Sequence, residues 1–247
     1  MLKIGIIGSG AIGATLAQRL SGAGHEVAIA NSRTPDTIAP EVLSTGARAV
    51  YAAEVTTDAD VVIVSVNTGN IPDISDLVRT APRDTVIIDT SNYYPLRDGQ
   101  IPELDAGQVE SLWVADHYGR PVVKAWNMIT AQSLNLYASA PGTDGRIAIA
   151  VAGDDADAKA TVMTLVDQSG FDALDSSALA NSWRQQPGTP AYCTDHTRAE
   201  LPAVLDRADA QRSARRRDLF IEVATERGQA EGSVSADYLV RLGRTIY

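Results

Sequence analysis

The chain has one cysteine, Cys193, among 247 residues, so no disulfide can close within it and a zinc site built on paired cysteines is excluded. Histidine is nearly as scarce. His25, His117 and His196 stand far apart, without metal-ligand spacing, and no metal is expected. No apolar run is long enough to span a bilayer, and the opening Met1-Leu2-Lys3-Ile4-Gly5 lacks the anatomy of a signal peptide. Positive charge is in deficit, with 21 Lys and Arg against 31 Asp and Glu, a formal charge of −10. Such a surface repels phosphate backbones, so nucleic acid is not an expected partner. The basic run Arg215-Arg216-Arg217 lies among Asp206, Asp209, Asp218 and Glu222 and reads as a solvated or salt-bridged helix face. These absences leave a soluble protein of a reducing compartment, expected in the cytoplasm. Its 45% hydrophobic content is enough to fill a core.

What is present is an alternation. Apolar runs at Ile4–Ile7, Val27–Ala30, Ala47–Val50, Val61–Val66, Val86–Asp89, Val122–Trp126, Ile147–Val151 and Phe171–Leu174 read as strands. They are continuous rather than alternating in polarity, the habit of parallel strands covered on both faces. Ile12, Leu16 and Leu20 form a helical stripe closed by Gly22 and Gly24. Further helices are expected over Ile71–Thr80, Gln108–His117, Ala131–Tyr137 and Asp155–Gln168. Strand and helix in turn at this spacing predict an α/β Rossmann fold, a doubly wound, mostly parallel sheet. After Leu174 the strand signals stop. Ser182–His196 reads as an irregular loop, Arg198–Arg227 as a charged helix and Ser235–Leu242 as a shorter one. The expected organisation is a dinucleotide-binding domain over 1–178 and a small helical segment over 179–247, serving as substrate cover and dimer contact.

Gly8-Ser9-Gly10-Ala11-Ile12-Gly13 matches G-x-G-x-x-G where it follows a strand and opens an amphipathic helix. Gly8 permits a tight turn, Gly10 lets backbone approach a pyrophosphate, and Gly13 lets the helix pack on the strand. The helix start, with Ser9, Ala11 and Ile12, offers N–H groups and a partial positive charge to the anion. At the tip of the second strand an NAD site places Asp or Glu on the ribose 2′-hydroxyl. Here the tip reads Asn31-Ser32-Arg33-Thr34. A carboxylate would repel a 2′-phosphate. Arg33 can hold one by a forked, charge-assisted contact, and Ser32 and Thr34 add hydroxyl donors. NADP is therefore the expected cofactor.

Over the run from Gly8-Ser9-Gly10 through Asn31-Ser32-Arg33, and over Val86–Pro95 and Val122–Ile129, the sequence resembles the NADP oxidoreductase family that includes the coenzyme F420-dependent NADP reductases. The resemblance covers about the first 175 residues. The segment Ser182–Cys193 is similar to a bacterial subgroup rather than to the archaeal deazaflavin enzymes. The resemblance implies NADP binding, hydride transfer with a deazaflavin or flavin as the suggested acceptor, and often a homodimer built partly from C-terminal helices. It also implies that Val66 lines the adenine or ribose side and that Asn92 and Asn127 line the nicotinamide side.

Ligands of such sheets sit beyond the carboxyl ends of the strands. Three of these ends finish in asparagine, at Val66-Asn67-Thr68-Gly69-Asn70, Thr90-Ser91-Asn92 and Ala125-Trp126-Asn127. Amides can donate and accept, which suits ribose hydroxyls and a carboxamide. Asn is also common in turns for backbone reasons, and it is the convergence of three that favours a site. Lys124 is the odd residue of an apolar strand, read as a packed stem with a snorkelling head. Reduction of a carbonyl or imine needs a proton donor. The candidates are Tyr93, Tyr192 and His196, with Tyr94 and Asp195 beside them. Cys193 reads as a buried spacer. The expected activity is hydride exchange between NADP(H) and a small redox molecule. A carbonyl or imine reductase and a non-catalytic NADPH sensor are the alternatives. The full phosphate loop argues against a Rossmann methyltransferase, whose cofactor has no pyrophosphate.

Overall fold

A computed structural model describes all 247 residues. Six parallel strands form one sheet in the order β3-β2-β1-β4-β5-β6: β1 (Lys3–Ile7), β2 (Glu26–Ala30), β3 (Arg48–Ala49), β4 (Val61–Val64), β5 (Val86–Asp89) and β6 (Val123–Lys124). This is the doubly wound order: successive strands are added outward on one side of β1 as far as β3, then on the other side from β4, so the switch point lies between β1 and β4. A parallel pair, β7 (Ala148–Val151) and β8 (Asp172–Asp175), joins the β6 edge through an antiparallel bridge between Lys124 and Ala152.

The continuous apolar runs are explained by two cores. On β1 and β4, Ile4, Ile6, Val61 and Ile63 face one side, beneath Leu16 and Leu20 of α1 (Ala11–Gly22). Ile7, Val62 and Val64 face the other, against Ile71 and Val78 of α2 (Ile71–Arg79). Two single-turn helices follow β5, α3 (Pro95–Asp98) and α4 (Pro102–Asp105), and then α5 (Glu110–Tyr118) packs beside α2. The chain continues through α6 (Ala131–Leu136) and α7 (Ala156–Gln168), which covers β7 and β8.

Beyond β8 the sequence expectation needs two changes. Ser182–His196 is not an open loop. A 3-10 helix spans Leu179–Gln185, and Pro187–Thr194 runs buried beneath the tail helices. Gly188 is required there, at φ +87 with an added Cβ falling 1.9 Å from the Ser213 carbonyl oxygen. The single helix expected from Arg198 is two, α8 (Leu201–Asp206) and α9 (Ala210–Glu231). Asp209 makes the break, because its carboxylate accepts the Gln211 N–H at 3.0 Å and starts α9 afresh. The last helix, α10 (Ala236–Ile246), is capped by Ser235. Arg244 on α10 donates to the carbonyls of Thr194 and Asp195, and Tyr137 donates to Asp237. These bonds fold the tail back over the carboxyl edge of the sheet.

Candidate active site

The glycines of the first turn divide into two kinds. Gly8 lies at φ +107, and a Cβ there would sit 2.1 Å from the Ser65 carbonyl oxygen at the tip of β4. A Cβ on Gly13 would sit 2.0 Å from the Gly8 carbonyl oxygen, so α1 could not approach the turn. These two are glycine for reasons of packing. A Cβ on Gly10 would meet nothing within 4 Å. Its backbone is extended at φ −67, which any residue adopts, so neither crowding nor dihedral explains it. Gly10 is the N-cap of α1, no side chain caps the helix, and the first turn carries no acidic residue. The free N–H groups and helix dipole therefore face open space, an arrangement that fits a phosphate group.

Next to this turn, Asn31 is held in place. Its amide donates to Thr37 Oγ1 at 3.0 Å and to Ser9 Oγ at 3.4 Å, and its carbonyl accepts the Arg33 N–H at 2.9 Å. Asn31 therefore shapes the strand tip. Ser32, Arg33 and Thr34 are exposed, and the Arg33 guanidinium makes no ion pair or hydrogen bond within the chain. Across the turn, Val66 is half-buried beside Gly8, while Asn67 and Asn70 are exposed at the ends of the short helix Thr68–Asn70, with no side-chain cap bond.

At the other end of the sheet the polar groups are used on one another. Asn127 donates to Asn92 Oδ1 at 3.1 Å and to the Gln185 carbonyl at 2.8 Å, and accepts from Gln185 Nε2 at 2.9 Å. Asn92 donates in turn to the Asn127 carbonyl at 2.9 Å. The two amides lock the β5 and β6 tips together, and Asn127 keeps one acceptor position on its Oδ1. Lys124 does not snorkel. Its ammonium is fully buried and donates to Asp89 Oδ2 at 2.8 Å and to the Ser91 carbonyl at 2.5 Å. Asp89 Oδ1 accepts the Ser91 N–H at 2.8 Å, so the pair grips the turn that presents Asn92. A buried charge needs such a partner, and the β5–β6 register sets Asp89 directly beside Lys124. Nearby, Glu110 is buried and accepts the Tyr93 N–H at 3.1 Å; burial pushes its carboxyl up to about 7, against the opposing pull of Lys124.

Between the β5 and β6 tips and the tail lies a cleft of about 400 Å³. Ile12 of the phosphate turn, Trp126 and Ile129 make its sheet side, and Phe220, Ile221 and Leu239 of α9 and α10 make its cover. Trp126 sits at φ +56, which ends β6 and turns the chain toward Asn127. Of the proton-donor candidates, the structure brings Tyr192 into the cleft and leaves Tyr93 and His196 outside it. Tyr93 is buried, with its hydroxyl donating toward Asp105 at 2.9 Å and the Gly99 carbonyl and accepting from the Ile101 N–H. Its neighbour Tyr94 takes the place beside the cleft instead. His196 stands 3.6 Å from Glu200 at the start of α8, and desolvation lowers its pKa. Tyr94 donates to the Tyr192 hydroxyl at 2.6 Å, the rings meeting edge to face. Burial pushes both phenols up, so the pair stays protonated. Burial likewise pushes up the thiol of Cys193, at φ +54.

Residues 3–93 match the family model described as NADP oxidoreductase, coenzyme F420-dependent. That stretch holds the glycine turn and the second-strand tip on which the expected family and cofactor rest. The chain is 52% identical to the Escherichia coli K12 protein YjhV over 60 residues, 24% of this chain and 44% of that one. It is 30% identical to the rat metalloreductase STEAP3 over 180 residues, 73% of this chain and 35% of that one. It spans less than half the length of either. Among solved structures, the Sinorhizobium meliloti protein SMa0349 superposes with a TM-score of 0.68 at 29% identity, covering 80% of this chain and 96% of that one.

Proposed function

We propose, from the NADP oxidoreductase match over residues 3–93, that this protein is an NADP-dependent oxidoreductase that moves a hydride between NADP(H) and a small acceptor. The observation that carries the reading is an anion site with two unused parts. One is the uncapped start of α1 behind Gly10, the other the unpaired guanidinium of Arg33. In a chain of charge −10, cationic groups left without carboxylates suggest a ligand that supplies the negative charge. Gly8, Ser9, Gly10, Ala11 and Ile12 would hold the diphosphate. Ser32, Arg33 and Thr34 would hold the 2′-phosphate. Val66, Asn67 and Asn70 would flank the adenosine ribose, and Asn92 the nicotinamide. Asn31 and Asn127 support these positions. Bound NADPH supplies the hydride. The residues around the cleft orient the ring and exclude water, and Lys124 and Asp89 keep the β5 turn in place.

A binding-only sensor would need the same phosphate turn, but not a covered cleft at the nicotinamide end. The cover formed by Phe220, Ile221 and Leu239 favours the enzyme. The test is NADPH oxidation in the presence of flavins, F420, quinones, aldehydes and imines, alongside NADPH and NADH binding. Tight NADPH binding with no oxidation by any acceptor would replace the enzyme by the sensor. In the same reading the protein works as a cytoplasmic homodimer of two such clefts. The half-exposed Leu219 on α9 and exposed Leu136 on α6 leave apolar surface for a second copy, and sedimentation velocity measures it.

A further inference from the structure

We propose that the acceptor is a small, uncharged carbonyl or imine compound, bound in the cleft with its oxygen or nitrogen on the Tyr94–Tyr192 hydroxyl pair. The inference rests on the oxidoreductase reading and narrows its substrate.

Three observations carry it. First, no charged side chain lines the cleft; its polar residues, Thr90, Asn92, Asn127, Thr130 and Thr225, are all neutral. A carboxylate or phosphate entering there would lose its water and find no cation, a large penalty for an ion. The Arg97 guanidinium lies 5.1 Å from the Tyr94 ring centroid but is already paired with Asp98 and bonded to the Asn92 carbonyl, so it is not a free cation for an anionic acceptor. Second, most neutral polar groups are already occupied. Both Asn127 N–H groups are used, Thr90 donates to the Val64 carbonyl, and Thr130 caps α6 and bonds Ser133. The phenols differ. One proton is used between Tyr94 and Tyr192, and the other can be donated. Third, the walls of the cleft are apolar, with Trp126 and Ile129 facing Phe220, Ile221 and Leu239, which suits an uncharged organic acceptor beside the ring.

The reaction balances on these groups. A C–H bond forms at the carbonyl or imine carbon with the hydride's electron pair. The C=O or C=N π pair takes a proton from the phenol pair, which water replaces. The acceptor is reduced to an alcohol or amine and NADPH is oxidised to NADP⁺. The buried phenols stay neutral through the physiological range and act as donors.

Matched acceptors test the proposal: benzaldehyde against 4-carboxybenzaldehyde, and cyclohexanone against 4-oxocyclohexanecarboxylate, each with NADPH. The neutral member of each pair is expected to have a kcat/KM at least about tenfold higher. Y94F and Y192F should each lower kcat about 10²-fold or more, with NADPH affinity unchanged and the double variant little worse than either. Calorimetry on the NADP⁺-loaded protein gives a readout without turnover. Benzamide should bind at least about tenfold tighter than benzoate. Equal or better use of the charged members, tighter benzoate binding, or full kcat in both phenylalanine variants overturns the proposal while leaving NADP-linked oxidation standing. Failure of the unmodified protein to bind NADPH overturns the oxidoreductase reading itself, and the proposal with it.

Discussion

The two ends of the sheet's carboxyl edge are built on opposite plans. At the β1–β2 end the recognising groups are main-chain N–H groups and an exposed arginine, left without partners. At the β5–β6 end nearly every polar atom is buried and bonded to another: Asn92 to Asn127, Asn127 to Gln185, Lys124 to Asp89, Tyr94 to Tyr192. The first end is a site because its groups are unsatisfied. The second is a shaped surface because most of its groups are satisfied, with the Ser91 hydroxyl a buried exception, and its chemistry rests on one phenolic proton beside apolar walls. Substitutions should therefore act differently at the two ends, on stability at β5–β6 and on ligand affinity at β1–β2.

The largest effect is expected from K124M. Removing one member of a fully buried ion pair leaves Asp89 uncompensated and should cost about 3–5 kcal/mol in urea unfolding. D89N/K124M should recover part of that loss. A K124M protein as stable as the parent would mean that water already reaches the pair, and the contrast between the two ends would weaken.

A smaller effect concerns Glu110. Its folded pKa of about 7 lies above its ordinary value, so between about 4.5 and 7 the folded state binds the extra proton. Stability then falls as pH rises through that window, by on the order of 3 kcal/mol for this group. Urea midpoints from pH 4.5 to 8 should show the decline, and E110Q should flatten it. A decline identical in both proteins would assign it to other groups.

These residues also explain what the sequence could and could not yield. The alternation of strand and helix, the phosphate turn and the missing carboxylate at Asn31 are legible because each depends on neighbours a few positions away. A glycine pattern opening a helix has a local meaning. Lys124, Tyr94 and Tyr192 depend on partners 35 to 98 residues distant, fixed only by strand pairing and by the tail's return. Tyr93 and Tyr94 are adjacent, and nothing in their order tells which ring turns into the cleft. The tail was misread for a related reason. Its helical pattern is continuous in composition, and only the Asp209 cap shows where α8 ends and α9 begins.

At the β1–β2 end, R33D should move affinity and leave stability alone. A charge-assisted phosphate contact is worth about 1.5–3 kcal/mol, so NADPH should weaken about 10–100-fold while NADH gains. Paired titrations of both nucleotides measure this. An unchanged ratio would make Arg33 a surface arginine and reopen the choice of cofactor.

The smallest expected effect isolates the ligand from the fold. G10A adds one methyl group at a position where it meets nothing and where φ is ordinary. The protein should therefore melt within about 0.5 kcal/mol of the parent. If the open space behind Gly10 is where a diphosphate approaches the backbone, the same methyl group should weaken NADPH about tenfold, near 1.4 kcal/mol. G13A is its counterpart. The Cβ would strike the Gly8 carbonyl, so it should lose stability and binding together. Only G10A can separate the two, because its cost in the empty protein is close to nothing. Unaltered NADPH affinity in a normally folded G10A would mean that no ligand comes near this backbone, and that the free N–H groups of α1 serve water alone.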